Sequence, residues 1–95
     1  DVVKLGNAFP NPSSSFVTIP FTLPGSNEQY RVRLQVYDRL GRLTATLVEG
    51  DLKAGFYSST WDAEKAKSTP GLYTYRLVVG AHGKSYAYSG KVIIN

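Results

Sequence analysis

Cysteine and methionine are absent from this 95-residue sequence, and histidine occurs only once. Without cysteine the chain has no disulfide bridge and no thiolate metal site, and the single His82 excludes a metal-binding histidine pair. The lack of methionine extends to position 1, so we expect the chain to be a piece of a longer protein. Apolar runs stay far below the roughly 18 residues of a membrane span, and no signal-peptide pattern occurs. We therefore expect no direct membrane insertion.

The charge of the chain is positive but scattered. Eleven Lys and Arg stand against seven Asp and Glu, which gives a formal net charge of +4 at pH 7. A dispersed excess of this kind favours solubility and at most weak contact with anionic surfaces. One hairpin gathers four arginines, but no nucleic-acid-binding motif accompanies them, so we expect no nucleic-acid partner. These are Arg31, Arg33, Arg39 and Arg42.

The stretch from residue 30 to residue 48 alternates apolar and polar residues with a period of two, which predicts a β-hairpin. Its connector runs from Asp38 to Gly41. Asp38 suits the first position of a turn, and Gly41 can adopt the positive φ that ends a four-residue loop. The predicted inward side chains are Val32, Leu34, Val36, Leu43, Ala45 and Leu47. A hairpin with one apolar face needs a second layer to cover it.

Further strands are predicted on both sides of this hairpin. They are Phe16–Leu23, Phe56–Asp62, Leu72–Val79, Lys84–Ser89 and a closing Lys91–Ile94, with a weak edge strand at Val2–Leu5. Pro20 has no N–H to donate, so its strand is expected to lie at an edge or to carry a bulge.

The segments between these strands are predicted to be short. Residues 49–55 are expected to connect two strands, and residues 63–69 are expected to form one helical turn at most. A turn at residues 80–83 would place Tyr75 opposite Tyr88. The predicted fold class is all-β, an immunoglobulin-like β-sandwich of about seven antiparallel strands. We expect one domain over residues 1–95, with a linker at 1–14 and the sandwich at 15–95.

Residues suited to catalysis are few. His82 lies in a glycine-flanked turn and is expected to be an exposed loop tip, and no nucleophile, metal or phosphate-binding motif occurs. Asp62 and Glu64 could chelate a calcium ion, but acidic residues beside turns more often bind local backbone N–H groups. We expect that second role for Asp38, Asp51 and Asp62. No enzyme activity, cofactor or metal is expected.

Seven tyrosines and one tryptophan raise the possibility of carbohydrate binding, because exposed aromatic rings stack on sugars. Trp61, Tyr73 and Tyr75 share their strand faces with apolar residues, so we expect them in the core, with Trp61 at its centre. The tyrosines whose place is left open are Tyr37, Tyr86 and Tyr88.

Short motifs follow one another in a distinctive order. They are Phe9-Pro-Asn-Pro12, an apolar strand from Ile19 to Leu23, Val36-Tyr-Asp-Arg-Leu-Gly-Arg42, Ala54-Gly55, Thr60-Trp-Asp62, Pro70-Gly-Leu-Tyr-Thr-Tyr-Arg-Leu77 and Lys91-Val-Ile-Ile94. From about Asn7 onward this ordered set resembles the C-terminal sorting domains of the bacterial type IX secretion system. It is also similar to the immunoglobulin-like domain of the flagellar hook-capping protein and to accessory modules of secreted bacterial enzymes.

The resemblance implies a non-catalytic sorting signal at the C-terminus of an exported bacterial cargo protein. Such a signal crosses the periplasm and is recognised by the outer-membrane secretion machinery. A sortase-like surface protease then typically removes it by cutting near the linker. The cargo, an upstream domain of the same chain, reaches the cell surface or the medium.

The resemblance also assigns residues by position. Recognition falls to Gly71, Tyr73, Lys91, Val92, Ile93 and Ile94. Structural motif positions are Pro10, Asn11 and Pro12 of the leading motif and Gly41 of the hairpin, beside Asp38 and Trp61 named above. The tail departs from the family pattern, because many members end with a further basic residue where this chain has Asn95.

A second interpretation is a non-catalytic accessory module that binds polysaccharide or packs against a neighbouring domain of a secreted enzyme. Recognition by another protein would use edges and termini, because edge strands of a sandwich expose backbone groups that another chain can pair with. Polysaccharide binding would instead depend on Tyr37, Tyr86 or Tyr88.

Overall fold

The structure is a computed structural model that describes residues 2–95; Asp1, the first residue of the predicted domain and linker, lies outside the described residues. Within this range the chain forms seven strands and no helix. They are β1 (Lys4–Leu5), β2 (Phe16–Leu23), β3 (Gln29–Tyr37), β4 (Leu43–Lys53), β5 (Gly55–Asp62), β6 (Gly71–Ala81) and β7 (Lys84–Ile94). Two antiparallel sheets result, ordered β1-β2-β5 and β4-β3-β6-β7. The predicted all-β, immunoglobulin-like sandwich is confirmed.

The core lies between the sheets and is built from alternate residues of each strand. On β2 every second residue is buried, as a strand with one face against a core requires. Trp61 is 2% exposed and meets the ring of Tyr73 edge-on, with 5.1 Å between the ring centroids. Such a pair stabilises the fold by about 0.5–1.5 kcal/mol beyond its burial. The prediction that Trp61, Tyr73 and Tyr75 belong to the core is confirmed.

The hairpin of β3 and β4 is confirmed, but β4 is longer than predicted. It continues to Lys53, and Ala54 alone separates it from β5 in the other sheet. The predicted connection at residues 49–55 is therefore wrong. A register shift between Val36 and Tyr37 moves Leu43 to the outer face, where it is 55% exposed although predicted to point inward. One extra residue in a strand reverses the face of the residues beyond it.

Pro20 lies in the middle strand of its sheet, so the prediction that its strand is an edge is wrong. The carbonyl of Pro20 accepts a hydrogen bond from the N–H of Gly6 at 2.8 Å. Because the nitrogen and oxygen of one strand residue point to the same side, the nitrogen of Pro20 also faces the β1 side. Because β1 ends at Leu5, no β1 residue lies opposite Pro20 to accept a hydrogen bond from its nitrogen. The irregularity lies in the partner segment, where residues 6–8 oppose residues 19–20.

The hairpin of β6 and β7 turns through only two residues. His82 and Gly83 both have positive φ, 53° and 76°, which is the geometry of a type I′ turn. The register therefore differs by two residues from the prediction. Tyr75 lies opposite Gly90 rather than opposite Tyr88, and β7 runs unbroken from Lys84 to Ile94.

The segment between β5 and β6 forms one helical turn, as predicted. The N–H of Ala66 donates to the carbonyl of Asp62 at 3.1 Å. The carboxylate of Asp62 accepts the N–H of Lys65 at 2.8 Å, which confirms its predicted role beside a turn. The same prediction is wrong for Asp51, which lies within β4 and faces Arg31, with 3.6 Å between carboxylate and guanidinium.

Candidate recognition surface at the C-terminal strand

The residues predicted for recognition lie on two neighbouring strands. At the end of the four-stranded sheet, Gly71 pairs with Ile94, and Tyr73 pairs with Val92. Val92 and Ile94 point into the core and are 0% and 3% exposed. The alternate residues of β7, Lys91 and Ile93, point outward, and Ile93 is 47% exposed. The last strand is thus anchored by one set of side chains and displays the other.

The side chain of Asn11 binds the outer edge of this strand. Its Nδ2 donates a hydrogen bond to the carbonyl of Lys91 at 3.2 Å, and its Oδ1 accepts the N–H of Ile93 at 2.9 Å. These are the two backbone groups that a further strand would use. One side-chain amide therefore replaces one residue of a neighbouring strand.

The backbone of Ser13 continues the pairing that Asn11 begins. The N–H of Ser13 donates to the carbonyl of Ile93 at 2.9 Å, and the N–H of Asn95 donates to the carbonyl of Ser13 at 2.8 Å. Ser13 is 4% exposed, and its hydroxyl donates to the carbonyl of Phe16. We call the contact of residues 11–13 with residues 91–95 the terminal clasp.

The remaining outer edge of β7 is open. In the β6–β7 ladder, the N–H and carbonyl groups of Ser85, Ala87 and Ser89 point away from β6. They find no partner among residues 2–95. The terminal clasp therefore closes only the final segment of the edge strand.

Gly71 and Tyr73 shape the start of β6 rather than its surface. Gly71 has a φ of 151°, a region that essentially only glycine adopts. The hydroxyl of Tyr73 donates to the carbonyl of Thr69 at 2.5 Å, and its ring is buried against Trp61. Both residues thus fix where β6 begins beside the closing strand.

Asp38 and Gly41 shape the turn between β3 and β4. One carboxylate oxygen of Asp38 accepts the N–H groups of Leu40 and Arg42 at 2.9 and 3.0 Å, and the other accepts Nε of Arg42 at 2.9 Å. The backbone N–H of Arg42, followed by its guanidinium and the N–H of Leu40, lowers the pKa of Asp38. Gly41 has the predicted positive φ, 82°. The predicted role of Asp38 is confirmed.

Sequence reasoning missed a contact between Tyr75 and the leading segment. The hydroxyl of Tyr75 accepts the N–H of Ala8 at 3.0 Å and donates to the carbonyl of Gly6 at 3.1 Å. Its ring passes over Gly90, where a Cβ would collide with it. A glycine inside a strand was the available signal, because it often marks such a close approach.

The three tyrosines whose location the sequence did not predict lie in two separate places. Tyr37 is half-buried on the outer face of β3, and its hydroxyl donates to Oε1 of Gln35 at 2.8 Å. Tyr86 and Tyr88 line a cleft of about 340 Å³ beside β1, with Tyr86 51% exposed. They do not form an exposed row with Tyr37.

Residues 2–95 contain no group of three or more acidic, histidine or cysteine side chains placed to hold a metal ion. In the same range, no helix has the length and apolar character to cross a membrane. His82 is exposed at the tip of the β6–β7 turn, as predicted.

Comparison with known proteins gave one finding. A family described as "Secretion system C-terminal sorting domain" matches residues 7–95. Neither the curated proteins nor the solved structures compared with the chain include a match.

Proposed function

This chain belongs to the family of secretion system C-terminal sorting domains, and on that premise we propose that the secretion machinery reads its closing strand, Lys91–Ile94. Domains of this family direct exported bacterial proteins through the type IX system to the cell surface or the extracellular space. A sorting signal is in general not catalytic.

The observation that supports this choice of strand is its two-sided anchoring. Val92 and Ile94 hold it to the core, and the terminal clasp holds its outer edge. The backbone of Lys91 and Ile93 is consequently held in one arrangement, with both side chains on the exposed face. A partner that binds a preorganised strand loses little conformational entropy on binding.

Our proposal includes two partners that the family resemblance implies. An upstream cargo domain of the same chain is delivered, and a sortase-like protease cuts before the motif Pro10-Asn11-Pro12. We treat residues 1–95 as one domain, in which the segment at 1–14, predicted as a linker, joins the cargo to the sandwich predicted at 15–95. This segment also contributes β1 to the first sheet. Through the terminal clasp, this segment also holds the last strand in place.

The test is export of a periplasmic reporter fused to the N-terminus of the chain in a type IX host. Lys91→Ser/Ile93→Ser changes only outward-facing side chains, so the sandwich is expected to remain folded while export is lost. Ser85→Ala/Ala87→Ser is the matched control on the same outward face of β7, and it is expected to be exported like the unchanged chain. Normal export of the 91/93 variant, with its thermal unfolding midpoint unchanged, would contradict the proposal.

A further inference from the structure

Two groups of basic side chains on or beside the outer face of the four-stranded sheet differ in their ion pairing. In the first group, Arg31 faces Asp51 and Arg33 faces Glu49, each with 3.6 Å between the charged groups. In the second group, Arg39, Arg76 and Lys91 form no ion pair within the described part of the chain. The positive charge that looks scattered in the sequence is therefore locally unbalanced in the fold.

The strand registers place the second group in one area. Tyr37, Thr74 and Lys91 form a row across β3, β6 and β7. Arg76 lies one step to one side of this row, and Leu72 lies one step to the other. Arg39 follows from the end of β3. These six residues line a shallow cleft of about 440 Å³, which we call the basic groove.

Among residues 2–95, Asp38 is the one carboxylate that lines the groove. It already binds the guanidinium of Arg42 at 2.9 Å and the turn N–H groups, so it does not neutralise Arg39 or Arg76. Exposed apolar side chains border the cations on the same face: Leu72 is 39% exposed and Ile93 is 47% exposed. The groove thus combines unpaired positive charge with apolar surface.

We propose that the basic groove binds an extended acidic peptide segment of a partner protein. Only the identity of that partner, a component of the secretion machinery, rests on the proposed function. Arg76 and Lys91 are diagonal cross-strand neighbours, about 7–8 Å apart at their backbones. Alternate side chains of an extended peptide are about 7 Å apart. Two carboxylates at alternate positions, followed by an apolar residue, match Arg76, Lys91 and Leu72.

A phosphate group fits the groove less well than a peptide. A phosphate is typically bound by several donors that converge on one point, as at a backbone nest or a helix N-terminus. Here the cations are spread along the sheet face with Thr74 and apolar side chains between them. Lipopolysaccharide phosphate is therefore an alternative outcome of the test rather than the proposal.

The binding test uses the probe acetyl-Ser-Glu-Ser-Glu-Ser-Leu-Ser-amide and the isotope-labelled 95-residue chain. We expect amide chemical-shift changes centred on Leu72, Thr74, Arg76 and Lys91. Arg39→Gln/Arg76→Gln is expected to weaken binding about fivefold. The matched variant Lys53→Gln/Lys84→Gln removes the same charge from exposed sites outside the groove and is expected to change binding by less than about twofold.

Several outcomes would overturn the inference. Equal weakening by both variants would indicate general charge attraction. Equal binding of a probe with both Glu replaced by Gln would exclude a role for the carboxylates. Inorganic phosphate or lipopolysaccharide vesicles that shift the groove amides while the peptide does not would indicate a phosphate site.

Export of the reporter fusion separates this inference from the proposed function. If the unchanged chain is exported and Arg39→Gln/Arg76→Gln is retained in the periplasm, a groove partner within the machinery is supported. Equal export of the unchanged chain and of this variant would exclude a groove partner within the machinery and leave the proposed function intact. Failure of the unchanged chain would count against the proposed function, and the peptide titration would still decide the groove chemistry.

Discussion

The side-chain oxygen of Asn11 accepts the backbone N–H of Ile93 at 2.9 Å, across 82 positions of the sequence. This bond makes the leading segment and the last strand one structural unit. The side-chain Nδ2 of Asn11 also donates to the carbonyl of Lys91, which the prolines on either side of Asn11 could not do because they have no N–H. The motif Pro10-Asn11-Pro12 therefore holds the closing strand in place through the side chain of Asn11.

Asn11→Ala is predicted to loosen the closing strand without unfolding the sandwich. It removes two hydrogen bonds, each worth about 0.5–1.5 kcal/mol of stability. The N–H of Ile93 should then exchange with solvent at least about fivefold faster, measured by hydrogen exchange. Asn7→Ala is the control, because Asn7 is exposed in the same segment and makes no side-chain hydrogen bond within the described residues. Equal exchange in the two variants would exclude the Asn11 hydrogen bonds of the terminal clasp.

Tyr75→Phe is predicted to lower the free energy of unfolding by about 1–3 kcal/mol, because the buried N–H of Ala8 loses its acceptor. Denaturant unfolding measures the change. Tyr86→Phe removes an exposed hydroxyl with no hydrogen-bond partner in residues 2–95 and should change stability by less than about 0.5 kcal/mol. If Tyr75→Phe lowers the free energy of unfolding no more than Tyr86→Phe does, the hydroxyl of Tyr75 does not bind the leading segment.

Gly90→Ala is predicted to destabilise the fold by about 1–3 kcal/mol, because the new Cβ would collide with the ring of Tyr75. Gly80→Ala on the adjacent strand is the control, since its Cβ would meet neighbouring atoms no closer than 3.6 Å. Thermal unfolding of both variants is the measurement. Similar midpoints for the two variants would mean that Tyr75 does not lie over Gly90.

Asp38→Asn is predicted to lower the thermal midpoint at neutral pH, with a difference that shrinks in acid. The pKa of Asp38 is lower in the folded chain than in the unfolded chain, where it is about 4. Its carboxylate therefore adds stability above about pH 4, and this stability is lost as the pH falls through the folded pKa. In the background of Arg42→Gln, the effect of Asp38→Asn on the thermal midpoint at neutral pH should be smaller, because the guanidinium of Arg42 no longer binds the carboxylate. A pH-independent difference would contradict the role of the carboxylate.

Much of the architecture follows from the sequence because one face of each strand is buried. Alternation on β2, β3, β5 and β6 identified these strands, and it placed Trp61 of β5 and Tyr73 of β6 in the core. Glycine and aspartate in the β3–β4 turn gave its geometry, because both residue types have specific turn preferences.

What the sequence did not predict depends on register. A two-residue turn at His82 and Gly83 and a bulge between Leu43 and Ala45 each shift strand pairing, and local alternation does not specify such shifts. The terminal clasp joins residues more than 75 positions apart through a side chain, so no local pattern indicates it. The basic groove likewise exists only once three strands lie side by side.

The most direct test of the account compares one reporter fusion in two strains: a type IX host and the same strain without its outer-membrane secretion machinery. The account predicts reporter on the surface or in the medium of the first strain and in the periplasm of the second. Reporter confined to the periplasm of both strains, with the sandwich folded, would contradict the assignment of this chain as a sorting signal.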